Sequence, residues 1–534
     1  MPSVGTACSL HRDMEPLVRS AARLFIGCAL LFVTSAAAQL APIKPPSSWP
    51  QVPTGTASCS VEKSCAELAP AMIQSALGPS PLEANLRYLT DRIGGRVTGS
   101  SEADQAVGWA VEALRHTGVD DVHTEKFLIP VGWAEGHTTV TILAPAPFPV
   151  RLVSIGWSPP TPDAGLTADV LDVGTGDDAG FKKAGAAATG AIVLVHTNVL
   201  ETWQDLAGEY QTDAQIIHRA MKHGVAAIFW MSTRPNLLLY RHTEAIDGHL
   251  EPLPQAVVAR EDAGRMARLL ASGQKVRVHL DMPNKIGGPV ESENVVAEIR
   301  GREKPDEFVI LGAHLDSWDL GTGALDNGSN AAMVIDAARV IHSSGSIPRR
   351  SVRFVLFTGE EQGMLGSEAY ARAHRAELDN MAAAVIFDSG TGPVTGYTLS
   401  GRKDALRGVK EALEPIESLG VKEFTVEAHV DTDNFDFLLE GVPTLVVNQE
   451  PANYVLNYHA ASDTFDKVDM VQLKRQVAIA AVTAYALADR SEPIAPRQSR
   501  AEVEELMRET GLAEEMKVLG LWPAWVSGQR GREP

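Results

Sequence analysis

Cysteine is scarce in this sequence, with four in 534 residues, so the fold does not rest on a disulfide scaffold. Basic residues are in deficit, 47 against 67 acidic, for a formal net charge of −20. That balance excludes nucleic acid as a partner, because phosphate recognition needs clustered Lys and Arg. Apolar runs of the roughly 20 residues needed to span a bilayer are also missing; the nearest approach runs only from Leu24 to Val33. What remains, 45% hydrophobic and 21% charged residues, is globular material long enough for more than one folding unit.

The first 38 residues read as a secretory leader. Arg19 and Arg23 precede the apolar run, and small residues ending in Ala36-Ala37-Ala38 follow it. Met14 would give a more usual leader length than Met1. Cleavage after Ala38 removes three basic and two acidic residues, leaving 44 against 65, a net of −21. It implies an exported chain, periplasmic or extracellular, with no stable membrane span. Cys8 and Cys28 leave with the leader, and Cys59 and Cys65 are expected to pair in an oxidising compartment. So small a loop contributes less than the roughly 3 kcal/mol of a fifteen-residue loop.

Residues 39–68, rich in Pro, Ser and Thr, read as an extended lead-in, with helical patterning from Pro81 onward. Ser100 and Ser101 can cap a helix to about Arg115, with apolar positions Ala106, Trp109, Ala110, Ala113 and Leu114 at helical spacing. A first catalytic segment is placed at 69–131. Residues 132–285 change to short β runs with one or two helices and read as a smaller β-rich insert. Its histidines, His218, His223, His242 and His249, have no paired carboxylates at matching positions and read as surface or core residues. From Asn294 strands and helices alternate: strands near 308–311, 352–357, 383–387 and 444–447, helices near 327–342, 365–377 and 469–488. This predicts an α/β fold with an open sheet covered by helices over 286–490. Residues 491–534 read as a helical appendage, with one charged helical stretch from Arg500 to Lys517.

In open α/β sheets ligands bind beyond the carboxyl ends of the strands. Four apolar strands here run into polar residues at that end: His314 with Asp316, Glu360 with Glu361, Asp388, and a loop holding Tyr458 and His459. A Gly-rich loop, Leu320 to Leu325, leads to Asp326. Singly, the two glutamates read as a solvated loop end, His459 as a surface histidine and Asp326 as an N-cap. Together, His314, Asp326, Glu361, Asp388 and His459 offer two imidazoles and three carboxylates, a donor set suited to zinc. Asp326 is positioned to bridge two cations and Asp316 to accept the second ring N–H of His314. Glu360 is left free as general base, and Tyr458 as donor to a developing oxyanion.

At these residues the chain resembles the co-catalytic zinc aminopeptidase family, through Gly312-Ala313-His314-Leu315-Asp316-Ser317-Trp318-Asp319, Gly323-Ala324-Leu325-Asp326-Asn327-Gly328, Thr358-Gly359-Glu360-Glu361-Gln362-Gly363 and Asp388-Ser389-Gly390. The likeness runs from about Leu82 to Asp489 and is strongest to a carboxypeptidase-like, dipeptide-cleaving branch. The resemblance implies a three-layer mixed-sheet core with an inserted protease-associated domain at 132–285, and two Zn2+, for which cobalt or manganese can substitute. It assigns Asp326 to both ions, Glu361 and His459 to one, and His314 and Asp388 to the other. It further implies a peptide substrate and a homodimer. Thr432-Asp433-Asn434-Phe435 resembles the family's substrate-proximal segment, with Asn434 where many members have histidine. An aminopeptidase acting on longer peptides, a metal-free receptor-like binding protein and a cyclising acyltransferase are the competing expectations.

Overall fold

The computed structural model describes residues 64–533; the leader, most of the lead-in and Cys59, and with it the Cys59–Cys65 pairing, lie outside the described residues. The lead-in ends earlier than the composition suggests. The Ser64 amide and hydroxyl both donate to the Glu67 carboxylate at 2.8 Å, and a helix begins at once, Cys65–Leu77. Its face of Leu68, Ala69, Met72 and Ala76 is buried against the helix Met470–Asp489. Tertiary packing there overrides the Pro-rich approach, and Pro70 is accommodated within the helix.

Eight strands form the main sheet, in the order Asp120–Ile129, Val290–Ile299, Arg350–Phe357, Lys304–His314, Met381–Ile386, Thr444–Gln449, Val394–Thr398 and Glu423–Thr425. The four from Arg350–Phe357 to Thr444–Gln449 run parallel, and antiparallel strands flank them. Parallel strands buried on both faces should read as continuous apolar runs, and Phe308-Val309-Ile310-Leu311 does so. Val309 and Leu311 pack under the helices Ser329–Ser343 and Met470–Asp489, while Phe308 and Ile310 pack with Tyr370 and Phe437 on the other side. Helices thus cover both faces in a three-layer α/β arrangement. Among the described residues, no helix is long and apolar enough to cross a membrane.

A second sheet, of seven strands, lies wholly between Thr139 and Asp281, with Leu166–Asp172, Ile192–Val195 and Ala227–Met231 at its centre. The two chain crossings that lead to and from it pair with each other, Trp133–Ala134 against Lys285–Ile286. The C-terminal stretch from Arg500 to Lys517 is two helices, Arg500–Thr510 and Leu512–Val518, not one. Gly511, in a left-handed conformation (φ 86°), separates them and lets Met507, Leu512, Met516 and Trp525 share one apolar cluster with Phe435 and Leu439.

The turn after Arg350–Phe357 carries Glu360 and Glu361 and is clamped by Asn294, which donates to the Gly366 carbonyl at 2.9 Å and accepts from the Thr358 amide at 3.1 Å. A Cβ on Gly366 would stand 2.1 Å from the Thr358 carbonyl oxygen and 2.5 Å from Asn294 Oδ1. Gly366→Ala should therefore cost about 1–3 kcal/mol through overpacking, read as a lower urea midpoint at unchanged m-value; an unshifted midpoint would show that the turn is not clamped.

Candidate metal centre

The parallel strands run in register toward one edge of the sheet. His314, the last residue of its strand, pairs with Phe357; Gly312 pairs with Ile386, and Ile386 with Val446. The polar residues that follow each strand therefore emerge on one rim. His314 Nε2 lies 3.1 Å from Asp388 Oδ1, 3.2 Å from Asp326 Oδ1 and 3.9 Å from Glu360 Oε2. His459 Nε2 lies 2.9 Å from Glu361 Oε2 and 3.2 Å from Asp326 Oδ2. Asp326 thus stands between the two imidazoles, one oxygen facing each, and all five expected ligand residues and Glu360 meet at one place.

Asp326 is not the N-cap of the following helix. That helix runs Ser329–Ser343 with Gly328 before it, and Asp326 has a non-helical backbone (φ −119°, ψ 96°) that turns its side chain toward the histidines. Its backbone is fixed by Asp463, whose carboxylate accepts from the Leu325 amide at 2.7 Å and the Asp326 amide at 3.1 Å. Arg96, fully buried, donates to the carbonyls of Leu315 (2.6 Å), Thr322 (2.8 Å) and Gly323 (3.0 Å), tying the Gly-rich loop to the strand end beside His314. Gly323 adopts a left-handed conformation, and a Cβ there would meet Ser317 Cβ at 2.3 Å. Sequence reasoning missed Asp463 and Arg96. The only local signals were an acid four residues after His459 and an arginine inside the glycine-rich Gly94–Gly99 segment.

Asp316 does less for His314 than its spacing suggests, and more for the glutamates. The nearer acceptor for His314 Nδ1 is the Asp316 backbone carbonyl at 3.1 Å; its carboxylate is at 3.5 Å. That carboxylate accepts instead from Thr98 Oγ1 at 2.7 Å and from the amides of Glu360 and Glu361, each at 3.4 Å. Tyr458 stacks its ring on His459, centroids 3.6 Å apart, and shares a 2.8 Å hydrogen bond with the hydroxyl of Tyr210. Asn434 heads a short helix and donates to Ser400 Oγ at 3.2 Å, while its Oδ1 is buried without a partner.

The electrostatics suit cations. Burial pushes the Glu361 carboxyl up to about 7. Burial also raises Glu360 well above the usual carboxylate range, with Asp388 and Glu361 adding to it against the pull of His314. For His459, burial is outweighed by Glu361 and Asp326, which lift it to about 9. Without a cation this cluster holds protons that metal binding must release. Asp326 Oδ2, Glu361 Oε1 and His459 Nδ1 are buried without hydrogen-bond partners, and no Lys or Arg ion pair reaches the cluster among the described residues. Two triads, His314/Glu360/Asp388 and His314/Asp326/Glu361, bring ligand atoms within 4.8 Å of one another. Buried carboxylates and imidazoles gathered with no Lys or Arg among them are a donor set that fits zinc.

Comparison with known proteins agrees with this geometry. Residues 294–484 match the profile described as peptidase family M28. Mouse carboxypeptidase Q is 31% identical over 409 residues, 76% of this chain and 85% of its own. Among solved structures, a peptidase M28 precursor from Shewanella amazonensis superposes with a TM-score of 0.74 at 29% identity, covering 82% of this chain and 99% of its own. A zinc aminopeptidase from Bacillus subtilis shares the fold, with a TM-score of 0.60 at 19% identity, covering 77% of this chain and 95% of its own. Fold and donor set together define a metallo-exopeptidase. The chain belongs to peptidase family M28.

Asp463→Ala leaves two buried amides at Asp326 unpartnered. The expected cost is about 1–3 kcal/mol for each lost partner, and zinc affinity should fall about 10–100-fold, as for other groups that orient a ligand. Chelator competition reads this directly; wild-type affinity would show that Asp463 does not set the position of Asp326.

Proposed function

We propose that this chain is an exported dipeptidase or carboxypeptidase-like exopeptidase that holds two zinc ions. In this reading Asp326 binds both ions, His459 and Glu361 bind one, and His314 and Asp388 bind the other. The observation that carries it is the placement of the two Asp326 oxygens toward His314 and His459 at 3.2 Å each. When bound, the ions lower the pKa of water to about 7 and polarise the scissile carbonyl.

Glu360 is the general base. Its carboxylate sits at the edge of the cluster, 3.9 Å from His314 Nε2, and accepts the proton of the attacking water before passing it to the leaving amine. Asp316 acts as a positioning residue for both glutamate amides and for His314. Tyr458 donates to the oxyanion, with its ring fixed by stacking on His459 and its hydroxyl held by Tyr210. Residues 132–285 act as a protease-associated domain set into a catalytic domain formed by 69–131 and 286–490, with 491–534 as appendage. The leader-like residues 1–38 support export, and the family resemblance supports a homodimer and free dipeptides as substrates.

Glu360→Gln should retain both zinc ions and lower kcat by about 10²–10⁴-fold, the usual worth of general base catalysis; near-wild-type turnover would remove Glu360 from that role. Asp326→Ala should lose metal, as read by elemental analysis. To fix polarity, one dipeptide is offered free, N-acylated and C-amidated. Cleavage of the free form alone is expected of a dipeptidase. Cleavage of the N-acylated form marks a carboxypeptidase, that of the C-amidated form an aminopeptidase, and no cleavage of any form counts against this substrate class.

A further inference from the structure

A second buried cluster of metal-type side chains lies within residues 209–251. No such group is expected there from the sequence, and His242 reads as an isolated histidine. The fold brings Asp213 from the helix Trp203–Lys222 and Glu244 from the segment after the strand Ala227–Met231 to its ring. Their ligand atoms lie within 4.8 Å of one another, with His242 Nε2 3.8 Å from Glu244 Oε1. Zinc bonds to nitrogen and oxygen of about 2.0–2.2 Å put two tetrahedral donors on one ion about 3.3 Å apart. Small side-chain rotations close that difference.

The groups are buried and unpartnered. Asp213 is 4% exposed, His242 1%, and the Glu244 side chain 5%. Asp213 Oδ2, His242 Nδ1 and both Glu244 oxygens are buried without a hydrogen-bond partner. Glu209, one helical turn before Asp213, adds a third carboxylate, with one oxygen accepting from Thr233 and Tyr240 and the other unpartnered. The neighbouring cation, Arg234, forms no ion pair with these acids: its two terminal nitrogens donate to Thr233 Oγ1 and to the Tyr458 carbonyl, its guanidinium lies over the Tyr240 ring, and its Nε is unpartnered. Among the described residues no Lys or Arg forms an ion pair with Asp213, Glu209 or Glu244. Buried carboxylates are stable only when neutralised by a proton, a cationic side chain or a metal.

We infer that Asp213, His242 and Glu244 form a further binding site for a divalent transition-metal cation, separate from the His314–His459 centre. One imidazole and two carboxylates are donors that zinc, cobalt and manganese accept. The backbone is shaped for it: Glu251 accepts from the amides of Glu244 and Ala245 and from Thr243 Oγ1, which fixes the turn that aims Glu244 inward. The bound ion ties the helix Trp203–Lys222 to the 240–244 segment. That helix also carries Tyr210, and the 240–244 segment carries the Arg241 amide that donates to the His459 carbonyl at 3.0 Å. The ion is therefore a strut behind the loop of His459, and the site does not depend on the peptidase reading.

The test counts metal. Full-length protein is stripped with chelator, reloaded with excess zinc, desalted and measured by elemental mass spectrometry. Asp213→Asn/Glu244→Gln and, separately, His242→Gln should each hold one zinc fewer per chain than wild type; equal zinc content in either folded variant overturns the inference. As a second measurement, made on single substitutions at each centre, zinc should raise the melting temperature of Asp326→Asn, which lacks the shared carboxylate of the other centre. Asp326→Asn with Asp213→Asn should lose most of that rise. No rise in the single variant, or an equal rise in both, overturns the inference, since the cluster is then neutralised by protons.

Discussion

Asp326 is shared by two imidazoles, and most of the surrounding structure serves to keep it there. A carboxylate 4% exposed, beside three further acids, is costly unless cations or protons offset it. Its position is fixed from behind by Asp463 on the two amides and by Arg96 on the loop carbonyls. These supports are polar and buried, so each atom of them must find a partner. Arg96 is neutralised by no single acid; it is surrounded by carbonyl oxygens and by the charges of Asp463 and Asp316. The Gly-rich loop is thereby tied down by buried hydrogen bonds from both sides.

The second sheet contributes to the same centre from the other side. Leu239 accepts from the Ala461 amide, the Arg241 amide donates to His459, and Arg234 donates to the Tyr458 carbonyl. Arg241 also pairs with Asp319 at 2.9 Å, on the loop that follows His314. Trp157 from this region meets Trp318 edge-on at 6.3 Å, and Trp318 in turn meets His459 edge-on at 6.1 Å. His459 has a positive φ of 58°, an unfavourable backbone for a residue with a Cβ. It is kept there by partners on segments that follow strands of both sheets, which links the 240–244 segment to the geometry around His459.

Much of the main sheet was legible because its signal is local. The run at 308–311 is wholly apolar and that at 352–357 is broken only by Arg353, a pattern expected of strands covered on both faces. The structure extends them to Lys304–His314 and Arg350–Phe357. The helix after Asp326 begins at Ser329, two residues later than the pattern predicts, since a cap and a ligand look alike until the backbone angles are known. The start of the first helix at Cys65 and the break at Gly511 were not legible, because both depend on which apolar partners wait in the tertiary structure.

By itself the sequence determined the fold class and pointed to the residues that gather at one rim, since strand-end residues need only the pattern of strands to be found. The tertiary structure alone decided which acids stand behind the ligands and which face them. Asp463 and Arg96 carry no motif; they matter because chain segments far apart in sequence close around one loop. His242 shows the same limit. Asp213 lies 29 positions before it and Glu244 two after, and only a helix packed over a folded turn brings these carboxylates to its ring. Spacing along the chain reports such groups only when one element carries them all, and here no element does.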